Sequence, residues 1–126
     1  MQGYDFKIKS LDEVAADKRR GGEVRTLLSP KTVGSTSGFM GVATLKPGEQ
    51  INEHYHPYSE EFIYIVSGTI TAQLDGISCE LKTDQGLLIP IGTRHRLLNN
   101  AVQDAQLVFH LGPLAPRPDM GHVDTE

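Results

Sequence analysis

The segment His54–Gly68, HYHPYSEEFIYIVSG, joins two histidines two residues apart to a proline-containing break, two adjacent glutamates and an apolar run ending in glycine. Side chains alternate along a strand, so His54 and His56 leave the same face. A symmetrical reversal over Pro57, Tyr58, Ser59 and Glu60 sets Glu61 across from His56 and turns Glu60 the other way. Two imidazoles and a carboxylate on one wall form a donor set for a borderline divalent cation. The other reading, a polar hairpin tip in solvent, conflicts with its flanks. A run such as FIYIV (Phe62–Val66) is too apolar to lie wholly in water, so one of its faces is interior.

Strand signals continue outward from this segment. VRTLL (Val24–Leu28), FMGVATL (Phe39–Leu45), TITAQL (Thr69–Leu74), ISCEL, GLLIP, RHRLL and AQLVFHL are short β-branched or aliphatic runs separated by turn residues. Lys46-Pro47-Gly48-Glu49 reads as a type II turn and Asp75-Gly76 as a tight hairpin. About ten short strands at this spacing make an all-β sandwich or barrel. Before them, Tyr4–Lys9 alternates like a peripheral strand. Ser10 and Glu13 form a capping box for a short helix that Gly21-Gly22 stops after the basic cluster Lys18-Arg19-Arg20. The expected organisation is one domain over 1–126, with a core of about 23–112, a peripheral strand and helix over 1–22, and an extended, proline-rich tail over 113–126 that wraps a surface outside any ladder.

The 126 residues suit one domain, and the lone Cys79 cannot form an internal disulfide. With no cationic-apolar leader and no apolar run long enough to span a bilayer, a cytoplasmic protein is expected. A formal net charge of −4 points away from nucleic acid and anionic membrane as partners.

A second constellation, PIGTRHRLLN (Pro90–Asn99), delivers His95 at the start of a strand as a natural fourth ligand. The two constellations together resemble the cupin superfamily. Gly48, His54-x-His56, Glu61 and Gly68 stand at the fixed positions of the first cupin motif; Pro90-x-Gly92, His95 and Asn99 stand at those of the second. The second motif usually opens with glycine where this chain has Asp84, a departure at a turn rather than at a ligand. The resemblance implies a jelly-roll β-barrel holding one divalent ion per subunit on His54, His56, Glu61 and His95. Zn²⁺ is taken first, with Fe²⁺, Ni²⁺ or Mn²⁺ open. Both the hairpin register and the gap to Gly68 select Glu61 over Glu60.

Three further residues are candidates. A turn centred between Val102 and Gln103 sets His110 opposite His95, as an orienting histidine, an additional ligand or a catalytic base. The same register across Lys46–Glu49 sets Phe39 opposite His56 as a pocket wall and Gly41 opposite His54 as a space. Tyr64 is the other pocket candidate. His122, in the tail, is expected outside the site, and Arg94 and Arg96 to point away from it.

The segments LLSPKTVGSTSGFMGVATL (Leu27–Leu45), HYHPYSEEF, LIPIGTRHR and FHLGPLAPRPDMGHVDTE (Phe109–Glu126) resemble the small cupin-type cyclases of bacterial aromatic, type II polyketide biosynthesis. This likeness implies intramolecular aldol cyclisation and aromatisation of a poly-β-ketone, free or carried on a carrier protein, by a metal-dependent enzyme of antibiotic biosynthesis. A homodimer is expected. Two other functions share the ligand set: a cupin dioxygenase or monooxygenase acting on an aromatic polyketide, and a non-catalytic ligand-binding or complex-stabilising cupin.

Overall fold

The structure, a computed structural model, describes residues 6–126. Its strands are β1 Glu23–Leu28, β2 Phe39–Leu45, β3 Gln50–Tyr55, β4 Glu60–Ser67, β5 Thr69–Leu74, β6 Ile77–Lys82, β7 Gly86–Ile89, β8 His95–Leu98, β9 Ala105–Gly112 and β10 Val123–Asp124, with one α-helical turn, α1 Pro30–Val33, and two 3-10 turns, Leu11–Glu13 and Pro118–Met120. They form two five-stranded sheets, β1-β2-β9-β4-β7 and β10-β3-β8-β5-β6, in which the neighbours we describe are antiparallel. The all-β jelly roll expected from the sequence is what the chain builds.

Alternation sorts the central strands into an inner and an outer face. In β4, Glu61, Ile63 and Ile65 are buried while Phe62, Tyr64 and Val66 are exposed. In β9, Ala105, Leu107, Phe109 and Leu111 are buried while His110 is exposed. The inward aliphatic rows of the two sheets meet as one core, with Leu45, Ile65, Ile70 and Leu107 almost wholly removed from water.

The turn chemistry follows the sequence. Gly48 takes φ +82° and the Glu49 N–H donates to the Lys46 carbonyl at 3.0 Å, closing the type II turn. Asp75 and Gly76 both have positive φ and join β5 to β6 with Leu74 facing Ile77. The strand partners, however, are not those expected. The reversals after Leu45, Tyr55 and Leu98 each carry the chain from one sheet to the other. Glu61 therefore pairs in its ladder with Leu111 and Ile89, not with His56. Phe39 pairs with Leu111, and His110 lies between Met40 and Phe62, not opposite His95. A tight turn reverses the chain whether the next strand bonds alongside or folds across to the opposite sheet, and turn residues alone do not distinguish the two.

Other differences are local. The capping box forms, with the Ser10 N–H donating to Glu13 Oε1 at 2.7 Å, but it caps a single 3-10 turn, Leu11–Glu13. Val14 is already extended, so the helix ends well before Gly21. Of the strand expected over Tyr4–Lys9, Tyr4 and Asp5 lie outside the described residues and Phe6–Lys9 is not in a strand. Between β1 and β2, in a stretch rich in Ser, Thr and Gly, lies α1, whose signals are Ser29 accepting from the Thr32 N–H, Pro30 in the first turn and Gly34 at φ +71°. The proline-rich tail does enter a ladder: β10 pairs with β3, Val123 opposite Tyr55 and Asp124 opposite His54. Its prolines all precede β10, so none removes a ladder donor.

Asn99, the last fixed residue of the second motif, closes the end of the barrel where three turns meet. It is wholly buried; its Nδ2 donates to the carbonyls of Leu45 and Gln103, both at 2.8 Å, and its Oδ1 accepts from the Ala101 N–H at 3.0 Å. Replacing it with Ala strands these groups without water. We expect Asn99→Ala to lower unfolding free energy by about 2–4 kcal/mol in denaturant titration.

Candidate metal centre

Two of the four candidate ligands lie in one sheet, a third directly follows a strand of that sheet, and the fourth comes from the other sheet. His54 on β3 pairs directly with His95 at the start of β8. His56 follows β3, and its carbonyl accepts the Gly92 N–H at 2.9 Å, which ties the first motif's turn to the Pro90–Gly92 turn that delivers His95. Glu61 reaches in from β4, in the same inward row as Ile63 and Ile65. One donor atom from each of the four lies within 4.8 Å of every other. All four residues are buried, with exposures of 7% for His54, 8% for His56, 7% for Glu61 and 1% for His95.

Backbone carbonyls fix the imidazoles. Nδ1 of His54 lies 2.8 Å from the Asn52 carbonyl, Nδ1 of His95 2.9 Å from that of Thr93, and Nδ1 of His56 2.9 Å from that of Gly121. A carbonyl only accepts, so each Nδ1 carries the proton and each Nε2 is left to face the cluster. Glu61 Oε1 stands 3.3 Å from His56 Nε2 and 3.1 Å from His95 Nε2. Yet Glu61 Oε1 and His95 Nε2 are fully buried and make no hydrogen bond among the described residues. Buried polar atoms are rarely left so. Converging donors, carbonyl-locked tautomers and two unsatisfied facing atoms together fit a divalent cation with nitrogen and oxygen ligands.

The charges agree with this. Burial pushes the Glu61 carboxyl up, but the imidazoles of His56 and His95 outweigh it and hold the pKa at about 2. Burial pulls His95 down, and the facing Glu61 carboxylate reverses this, leaving it raised. His54 has no such partner: burial first, then the neighbouring His95, lowers it to about 3.

The donors lie in the wall of a cavity of about 550 Å³, within the size range of small-molecule sites. Phe39, Leu97, Leu107, Phe109, Leu111 and Leu114 make it largely apolar. Phe39 and Phe109 meet edge to face, with ring centroids 6.5 Å apart. The space expected beside Gly41 is taken by Phe109, whose Cζ would lie 2.6 Å from a Cβ at that position.

Two other candidates fall outside. His110 is on the outer face of β9, beside Phe62, because its neighbours Phe109 and Leu111 occupy the inward positions. It does not line the cavity. Tyr64 is likewise on the outer face of β4, where its hydroxyl bonds Asp84 Oδ1. Asp84 itself takes φ +68°, which explains why glycine is usual there.

The sequence reading missed His122. It lines the cavity, stacks on His54 with ring centroids 4.2 Å apart and planes 14° from parallel, and bonds Asp124 Oδ1 through Nε2 at 2.8 Å. The available signal was the alternation His122, Asp124, Glu126, which puts three polar groups on one side of an extended segment. The preceding prolines outweighed it.

This two-sheet barrel, with three histidines and a glutamate gathered in a cavity wall, has the architecture of a double-stranded β-helix protein. The chain belongs to the cupin family: the Cupin domain profile matches residues 41–111. The protein SchB of Streptomyces halstedii is 60% identical over 126 residues, covering 100% of this chain and 91% of that protein. The polyketide synthase protein CurC of Streptomyces cyaneus is 56% identical over 95% of this chain and 78% of its own length. The tetracenomycin polyketide synthase protein TcmJ of Streptomyces glaucescens is 44% identical over 93% and 78%. In fold, the chain is similar to the polyketide cyclase RemF of Streptomyces resistomycificus, with TM-score 0.76 and 17% identity over 97% of this chain and 87% of that one.

The shifted histidines set a pH dependence for metal-free protein. Below its ordinary 6.5 the unfolded chain protonates His54, while the fold refuses the proton down to about 3. Stability from this residue is therefore whole above about 6.5 and is lost as pH falls toward 3. His95, with its raised pKa, works oppositely: its contribution is present below its unfolded value and lost as pH rises through the folded one. Denaturant unfolding of chelator-treated protein should show stability falling from pH 6 to pH 4 by no more than ~1.4 kcal/mol per pH unit per proton, and His54→Gln should flatten that limb.

Proposed function

We propose that this chain is a metal-dependent cyclase that closes and aromatises rings of a poly-β-ketone by intramolecular aldol condensation and loss of water. The observation that carries this reading is a four-donor cluster opening into an apolar cavity, in a chain similar along nearly its whole length to two polyketide synthase proteins. His54, His56, Glu61 and His95 would hold the ion, which as a Lewis acid supplies polarisation of a ketone and stabilisation of the adjacent enolate. Zn²⁺ suits the donor set, with Fe²⁺, Ni²⁺ and Mn²⁺ sharing it.

The rest of the work belongs to the walls. A poly-β-ketone carries many carbonyls of similar reactivity, so the outcome depends on which carbons are brought together. Phe39 and Phe109, at right angles to one another, restrict how the chain folds, and Leu97, Leu107 and Leu111 exclude water beside the donors. With His110 outside, His122 is the one imidazole lining the cavity beyond the three proposed ligands.

A cytoplasmic homodimer is part of this reading. Cys79 is unpaired, and no helix among the described residues is long and apolar enough to cross a membrane. The outer face of the first sheet exposes Phe62, Tyr64, Val66 and Leu88, a surface suited to a second copy; a monomeric mass by light scattering at micromolar concentration would remove it.

His54→Ala is expected to abolish Zn²⁺ binding and cyclisation together, measured by elemental analysis and product formation from a poly-β-ketone substrate. Glu61→Gln should weaken both, whereas Glu60→Gln should leave both near wild type. Full turnover of Zn²⁺ protein without oxygen is expected; a strict oxygen requirement would replace cyclisation with oxygenation. Cyclisation that survives metal loss would reduce the site to a template.

A further inference from the structure

The three imidazoles are not supported alike. His54 and His95 each bond a carbonyl two residues back on their own segment, at Asn52 and Thr93, so their orientation is local. His56 bonds the carbonyl of Gly121, which is 65 residues away. Its ring is aimed only when residues 121–126 are seated. The same segment supplies His122, whose ring lies flat on His54.

Seating of this segment rests on backbone pairing with β3 and on side-chain bonds that touch none of the four donor side chains. Asp124 pairs with His54 in the ladder, and its carboxylate accepts from Arg20 Nε at 2.8 Å as well as from His122. The Thr125 N–H donates to the Glu53 carbonyl at 3.1 Å. The Glu126 carboxylate accepts from the Glu53 N–H at 2.6 Å and from Nε and Nη2 of Arg96. A strand latched at its far end thus presents, at its near end, one carbonyl and one ring to two of the four donors.

We propose that residues 121–126 are the outer arm of the metal centre, positioning His56 and His54, so that docking of this segment and occupancy of the site are coupled. The inference rests on the metal reading of the site. Coupling is reciprocal: whatever loosens the segment weakens the ion, and the ion holds the segment in place. His122 and Gly121 are positioning residues here, acting through His54 and His56. Arg96, expected from the sequence to point away from the site, becomes the far anchor of the arm.

The test is Zn²⁺ affinity of metal-free, full-length protein, measured by competition with a chromophoric chelator, alongside hydrogen exchange of the Val123–Glu126 amides with and without Zn²⁺. His122→Ala should weaken Zn²⁺ binding by about 10-fold, and His122→Phe, which keeps a flat ring on His54, should recover most of it. Glu126→Ala, which touches none of the four donors, should weaken binding by about 3-fold. Zn²⁺ should slow exchange of the segment's amides in the wild type. Unchanged affinity in both Ala variants, an equal loss in His122→Phe and His122→Ala, or exchange insensitive to Zn²⁺ would each overturn the coupling. If the wild type binds no Zn²⁺, the metal reading itself falls, whereas binding that the variants leave intact removes this inference alone.

Discussion

A carboxylate in the inward row of a β-strand is the constraint on which the site depends. Glu61 occupies a position that alternation would give to another Ile63 or Ile65, and an ionised group there costs several kcal/mol unless it is met by opposite charge. Among the described residues the imidazoles of His56 and His95 approach it, from the side of the facing sheet. The barrel must therefore hold its sheets at a spacing and stagger that bring β4 against His56 and His95. Asn99, sealing the turns at one end, and the Gly92–His56 hydrogen bond, tying the two motif turns together, are what keep that spacing.

Much of this was legible in the sequence, for a physical reason. Alternation within a strand is a local property, so the choice of Glu61 over Glu60 and the common face of His54 and His56 follow from parity alone. Glycine demands are equally local: Gly48 and Gly76 take the positive φ that their turns require. What parity cannot reveal is which strand lies opposite. Glu61 does meet His56, but across the sandwich and not in a ladder. The same style of reasoning placed His110 beside His95 and failed, because β9 runs in the other sheet with His110 on its outer face. For His110 parity left a choice between two faces, and the apolar neighbours Phe109 and Leu111 had the stronger claim on the interior. His122 escaped notice for the opposite reason. Its place is set by long-range pairing of β10 with β3 and by ion pairs to Arg20 and Arg96, none of which a local pattern encodes.

Cavity and core divide the interior between them. Toward the β5–β6 hairpin the sheets pack aliphatic against aliphatic, through Ile65, Ile70 and Leu81. At the other end Phe39, Phe109 and Leu111 face open volume, and packing is traded for a binding site. The closing segment contributes Leu114, Pro116 and Pro118 to the same volume, so a part of the chain outside the residues the Cupin domain profile matches also shapes its cavity.

That division bears on how the molecule comes apart. An unpacked end offers unfolding a place to begin, since little apolar contact resists separation of the sheets there. Glu61, reaching from β4 to imidazoles on β3 and β8, crosses the gap at that weakest place. An ion shared between the sheets would add little to the packed end yet stand directly in the path of opening. The equilibrium stability such an ion adds would then be expressed chiefly in the unfolding rate: slow unfolding when loaded and rapid fraying from the cavity end when stripped.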